Sequence, residues 1–289
     1  MVRVRHGKPV PRGLAIIGPG RLGQALGQLL TGRGIEIRFV AARRLPAARR
    51  ASRFIGAGKP VALTDSALAE ARVILITTSD AAIAPVARSL ARSACDWRSR
   101  VVLHTSGALP STVLAPLKRL GAAVGSLHPF QTIPSPQAGV RNLAGCGWGI
   151  EGDADALRVA RRLVTTLGGY TFRLRPECKI LYHAAAFLAC PMVVTLMEHS
   201  ARLLRKSGVP GSQVRSMLAQ FVSETAHNYA EVGARQALTG PAVRGDWTTM
   251  RRHLAALRRQ SPHIVPAYQA LVREMLRIAR RRPPQGLLD

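Results

Sequence analysis

The residues able to carry chemistry fall into a few groups. The first is Gly18-Pro19-Gly20-Arg21-Leu22-Gly23, a G-x-G-x-x-G match between the apolar run LAIIG and a stretch with helical periodicity. In such a turn the first glycine permits a tight bend and the second lets the backbone approach a pyrophosphate. The third lets the helix pack on the strand, and the helix N-terminus favours the anion. The pattern predicts a dinucleotide site at Gly18, Gly20, Arg21, Leu22 and Gly23. The next apolar run, IEIRFV, leads into Ala41-Ala42-Arg43-Arg44. A carboxylate there would hold the 2′-hydroxyl of an NAD ribose. None is available, whereas two guanidiniums, which pair well with phosphate, are. Arg43 and Arg44 therefore point to NADP(H) as the cofactor, although in an Arg-rich chain they also read as ordinary surface residues.

Three polar clusters follow short apolar runs: Thr78-Ser79-Asp80 after VILIT, His104-Thr105-Ser106-Gly107 after VVL, and His128-Pro129-Phe130-Gln131-Thr132 after AAVGSL. Ligands of doubly wound sheets bind beyond the C-terminal ends of the strands. The clusters thus predict a cleft with Thr78, Ser79, Asp80, Thr105 and Ser106 on the cofactor side and His128 and Gln131 toward a substrate. Taken singly, each reads equally as a helix cap or a satisfied core histidine. No third ligand stands at metal spacing from His104 and His128, so no metal site is expected.

In KILYHAAAFLAC, Lys179 and His183 lie four apart and share a helix face. Apolar surroundings depress the pKa of such groups into the range useful for general acid–base work. A snorkelling lysine and a hydrogen-bonded histidine would give the same pattern. Arg244, within TGPAVRGD, is a candidate clamp for a substrate carboxylate, or part of a helix–helix connection.

The elements that must position these groups are legible from periodicity. Apolar runs at 14–18, 35–40, 73–77, 101–104, 122–127, 147–152 and 170–174 alternate with helical stretches. This predicts an α/β domain at 13–175, a Rossmann-type parallel sheet with helices on both faces. From Pro176 the strands cease, and helices are expected at 177–207, 210–233, 247–259 and 263–282. The expected organisation is a basic tail at 1–12, the sheet domain at 13–175, an all-α substrate and dimerisation domain at 176–282, and a frayed tail at 283–289.

Composition narrows the classes. At 289 residues with 47% hydrophobic content, the chain is long and apolar enough for a substantial core, which excludes wholesale disorder. No uninterrupted apolar run reaches the ~18 residues that span a bilayer, and the basic N-terminus lacks the apolar core of a secretory signal. Four dispersed cysteines suit a reducing cytoplasm. The net charge is +27, but 37 of the 42 basic residues are Arg and they are spread along the chain. That spread fits coding bias better than a nucleic-acid face, and no zinc finger or basic–aromatic interleaving accompanies it. Neither a specific nucleic-acid partner nor a membrane is expected.

The segments GPGRLG, SDAAIAPVA, HTSGAL, LHPFQT, YHAAA and ALTGPAVRGD followed by HLAAL resemble the Rossmann-like proteins that carry a DUF2520 domain. These lie within the superfamily of 6-phosphogluconate dehydrogenase, β-hydroxyacid dehydrogenase and pyrroline-5-carboxylate reductase. The resemblance covers about residues 13 to 280. It implies an N-terminal NAD(P)-binding domain, a C-terminal helical domain that builds a homodimer, and a reductase acting on a small-molecule substrate. Where β-hydroxyacid dehydrogenases place an Asn four residues after the catalytic Lys, this chain has His183, and where the DUF2520 pattern shows Asn it has Cys190. The expectation is an NADPH-dependent oxidoreductase delivering hydride to a carbonyl or imine carbon, with Lys179 or His183 as proton donor. The rival expectation is a non-catalytic NADP(H)-binding sensor or scaffold.

Overall fold

A computed structural model of the protein describes residues 13–93 and 95–288; the basic tail expected at 1–12 lies outside the described residues. The chain divides into two compact units between Cys190 and Pro191.

The first unit is an α/β fold in which β1 (Leu14–Ile17), α1 (Arg21–Gly32), β2 (Ile37–Ala42), α2 (Leu45–Ile55) and β3 (Lys59–Ala62) form its opening part. Then come β4 (Val73–Ile76), α3 (Asp80–Ala91), β5 (Val101–His104), α4 (Ala115–Lys118) and β6 (Ala123–Pro129). It closes with α5 (Pro136–Leu143), β7 (Gly147–Gly152), α6 (Ala154–Thr166), β8 (Tyr170–Arg173) and α7 (Lys179–Ala189). The eight strands form one sheet in the order β3-β2-β1-β4-β5-β6-β7-β8. Every pairing is parallel except β6 with β7, which is antiparallel. The sheet is thus dominated by parallel pairs, as expected, with this one antiparallel pair added.

The strands run apolar without alternation because both faces are covered. Leu14, Ile16, Val73, Leu75, Val101 and Leu103 feed one core cluster, and their neighbours Ala15, Ile17, Ile74, Ile76 and Val102 feed the other. Strand β3 is an addition to the runs that periodicity predicts. Its KPVA is short and holds Pro60, which a strand tolerates at the sheet edge, where β3 pairs with β2 alone.

The second unit is helical: α8 (Pro191–Lys206), α9 (Gly211–Ala237), α10 (Pro241–Arg244), α11 (Trp247–Gln260) and α12 (Val265–Ala279). No strand occurs beyond Arg173 among the described residues, as the sequence predicts. The core of this unit gathers Met250, Leu254 and Leu257 of α11 with Val272 and Leu276 of α12. The helical geometry of α9 is interrupted at the expected stop, Gly233 (φ 73°, ψ 171°), and a short turn completes the element beyond it.

Three expectations change. The boundary falls after Cys190 rather than at 176, because α7 is anchored to the sheet through Lys179 and Tyr182. The expected frayed tail is packed at its described leucines: Leu287 and Leu288 are buried in the helical core, and the Arg273 guanidinium donates to the Leu288 carbonyl. Finally, Pro176–Lys206 is long and apolar enough to cross a membrane by length and composition. It is not an uninterrupted apolar run, because Lys179, His183 and Glu198 divide it. Its helix leaves α geometry at Cys190 (φ −124°, ψ −79°), just before Pro191.

Truncating either terminal leucine should therefore act as a core mutation. Leu288→Ala is expected to destabilise the helical unit by about 2 kcal/mol or more, read from denaturant unfolding; an unchanged midpoint would mean that the tail contributes nothing.

Candidate functional site

The glycine turn sits where β1 meets α1, and each glycine of the motif meets a different constraint. Gly18 has φ +75°, and a Cβ there would lie 2.1 Å from Thr78 Cγ2. At Gly23 a Cβ would lie 2.3 Å from Thr77 Oγ1. Only Gly20 has room, its nearest neighbour being the Gly18 carbonyl at 4.0 Å. The first and third glycines are thus required by the protein's own packing, and the second leaves its backbone open to a ligand. Helix α1 begins at this point with no side-chain cap and no acidic residue in its first turn, so its first N–H groups stay available.

A cleft of ≈ 750 Å³ opens here, lined by Gly18, Gly20, Arg43, Arg44, Thr78 and Ser79, among others. Thr78 Oγ1 is buried and has no partner, a hydroxyl that a ligand would satisfy. Arg43 and Arg44 are exposed at the end of β2, with no carboxylate among the described residues that line the same cleft. These features fit a dinucleotide carrying an extra phosphate. Of the other expected cofactor residues, Arg21 is exposed and Leu22 packs against the core. Asp80 is exposed at the start of α3.

The second cluster is built across three strand ends. In the sheet register, His104 of β5 pairs with Ser126 of β6, and Ser126 pairs with Glu151 of β7. Lys179, the first residue of α7, reaches this row. It is fully buried, and its Nζ donates to the Ser106 carbonyl at 2.8 Å and to Ser126 Oγ at 2.5 Å. Glu151 Oε1 lies 3.8 Å from the same nitrogen. One turn further along α7, Tyr182 Oη is 2.8 Å from His128 Nδ1 and its ring packs between Phe130 and Phe172. His183 is exposed, with its ring 6.5 Å from that of His128. Gly107 closes the arrangement: a Cβ there would lie 2.9 Å from His128 Nε2 and 3.0 Å from His183 Cδ2.

So Lys179, His183, His128, His104 and Ser106 do come together. Lys179 and His183 play unlike parts, one enclosed and the other open. The Ser106 hydroxyl accepts from the Ala108 and Leu109 N–H groups, and the Thr105 hydroxyl faces the Ile76 carbonyl, so both are engaged within the protein. Gln131 is exposed and its side-chain oxygen accepts from the Thr132 N–H. Arg244 belongs to the helical unit, exposed at the end of α10.

Sequence reading missed Glu151, Ser126, Tyr182 and the role of Gly107. One signal was present: Glu151 is an acid inside the apolar strand GWGIEG, in a chain with only 15 acidic residues. The others depend on which strand ends become neighbours.

Charge ties the cluster together. Burial, opposed by Glu151 and Asp80, lowers Lys179 to about 8. Burial and then the Lys179 charge lower His104 to about 3. Burial, Lys179 and His183 lower His128 to about 4. Both imidazoles are therefore neutral at pH 7, and His128 can accept the Tyr182 proton at Nδ1 while carrying its own on Nε2. Folding thus favours their unprotonated forms. The stability this contributes is fully present above about pH 6.5 and is lost as pH falls through about 4. Thermal melts between pH 7 and 4 are expected to show a steadily falling Tm, with a shallower slope in His128→Gln; a flat profile would contradict the burial of both rings.

A Rossmann-like domain model matches residues 8–129 and a DUF2520 model, a domain of unknown function, matches residues 146–275. No curated protein matches the chain. Among solved structures, a Bacteroides fragilis protein described as an NADP oxidoreductase is 24% identical, with a TM-score of 0.73 over 91% of this chain and 97% of its own. An imine reductase from Myxococcus stipitatus in complex with NADP⁺ is 17% identical, with a TM-score of 0.69 over 96% and 98%. A Plasmodium falciparum pyrroline carboxylate reductase with NADP bound is 11% identical, with a TM-score of 0.63 over 94% and 97%. At these identities the likeness is one of fold. The two matches, in the order the motifs predict, give the chain a Rossmann-like domain followed by a DUF2520 domain.

Proposed function

We propose that the chain is an NADPH-dependent oxidoreductase that reduces the carbonyl or imine carbon of a small anionic substrate. The observation that carries this reading is the glycine-turn cleft, open at Gly20 and edged by two guanidiniums, beside strand ends that hold neutral imidazoles. The NADP-bound reductases that share the fold support it.

When bound, the nicotinamide supplies the hydride. The remaining work belongs to the protein. The α1 N-terminus and the Gly20 backbone hold the pyrophosphate, and Arg43 and Arg44 hold the 2′-phosphate. Thr78 and Ser79 add hydroxyls along the cleft. His183 is the open proton donor of the Lys179–His183 pair, and His128 orients the acceptor atom through Nε2–H. Arg244 is the proposed clamp for a substrate carboxylate. The four cysteines form no disulfide, in keeping with a reducing cytoplasm.

The helical unit is proposed to build a homodimer. Helix α9 exposes Met217, Phe221, Tyr229 and Val232. Its charges, Arg215, Glu224, Glu231 and Arg235, cancel within a chain of net +27, so this face carries little of the self-repulsion of the rest. A second reading, an NADP(H)-binding sensor without turnover, draws on the enclosure of Lys179.

NADPH and NADH binding, followed by calorimetry at moderate salt, tests the cofactor reading. Wild type is expected to prefer NADPH, and Arg43→Ala/Arg44→Ala to weaken NADPH by about tenfold or more with little effect on NADH. Binding of neither nucleotide would overturn both readings. In a ketoacid and imine screen, Gly107→Ala is expected to force the two imidazoles apart and cut turnover on the order of 10²-fold while NADPH still binds. NADPH binding without turnover in the wild type would favour the sensor.

A further inference from the structure

Glu151 is 2% exposed and divides its carboxylate between two tasks. Oε1 accepts the Ser111 N–H and Oε2 accepts the Ser111 O–H, both at 2.7 Å, and Oε1 also faces Lys179 Nζ at 3.8 Å. Lys179 in turn holds the Ser106 carbonyl and Ser126 Oγ. The loop from Ser106 to Ser111 is therefore gripped at both ends, by the ammonium at Ser106 and by the carboxylate at Ser111. Gly107, within that loop, is the residue against which the His128 and His183 rings lie.

We propose that Lys179 and Glu151 are positioning residues that act as one buried ion pair, clamping both ends of the Ser106–Ser111 loop and so fixing Gly107 against the His128 and His183 rings. The proposal rests on the reading of that cluster as the place of reduction, and it moves Lys179 from proton donor to scaffold. With no exposed surface, its nitrogen is directed at Ser106, Ser126 and Glu151.

A purely structural need would be met at lower cost by apolar side chains of similar size, because taking two charges out of water is expensive. What the pair adds is direction and charge. The ammonium requires acceptors in fixed places, and its field reaches both imidazoles. The charged and titratable groups acting on or acted on by Lys179 are Glu151 from β7, Asp80 from the start of α3, His104 from β5 and His128 from β6.

The test needs no substrate. The sequence has five lysines, so ¹⁵N-lysine labelling gives few side-chain signals, and Lys179→Met identifies the one of interest. Its wild-type midpoint is expected near pH 8, and Glu151→Gln is expected to move it down by about one pH unit or more. The double variant Lys179→Met/Glu151→Gln removes both charges together, which keeps the core neutral and the chain foldable. In it the His128 ring-proton midpoint is expected to rise, and amide signals of residues 106–111 to broaden. A Lys179 signal unmoved by Glu151→Gln would overturn the proposal. So would a His128 midpoint unchanged in the double variant. NADPH binding by the wild type is measured alongside. Its failure would remove the reductase reading, while the Lys179 and His128 titrations would still decide whether the clamp exists.

Discussion

An ammonium group buried in a protein must be compensated from close by, and Lys179 organises this molecule around that requirement. Its acceptors come from the β5–α4 loop, from β6 and from β7, so three consecutive parts of the sheet must end at one place before the charge is tolerable. Removing one partner of such a pair typically costs about 3–5 kcal/mol, because the other is left charged and unmatched. The antiparallel turn of the sheet at β7 follows the same logic. It sets Glu151 directly opposite Ser126, in a row that continues to His104.

The same charge reinforces what burial does to its surroundings. Burial, with the Lys179 charge added to it, keeps the neighbouring imidazoles neutral, and a neutral His128 can accept from Tyr182 on one nitrogen and donate from the other. The cofactor cleft, by contrast, depends on backbone shape. Its glycines at 18 and 23 are dictated by Thr78 and Thr77 of the neighbouring strand end, and only Gly20 is left open to the cleft. One end of the sheet therefore presents two kinds of site, an uncapped helix N-terminus with guanidiniums and a desolvated cluster of imidazoles.

The helical unit shows a different balance. Its core is confined to α11, α12 and their immediate neighbours, and it includes the last leucines of the chain. Helix α9 buries only Val214 along 27 residues. Most of the stability of a helix in a protein comes from packing an apolar face, and along α9 Met217, Phe221, Tyr229 and Val232 stay exposed.

The sequence by itself determined the alternation of strands and helices apart from β3, the glycine turn, the missing acid after β2 and the place where strands give way to helices. Each is a local property: a period of two or 3.6 residues, or a spacing within one turn, survives whatever the rest of the chain does. It also placed Lys179 and His183 on one helix. It did not decide that one of them would be enclosed and the other open, because that depends on Ser106, Ser126 and Glu151, which are distant along the chain. Nor did it show β3, whose four residues with a proline carry no periodic signal, or the burial of Leu287 and Leu288. Tertiary structure decided these points, because register and strand direction bring distant residues to one strand end, and a buried charge accepts only the partners found there.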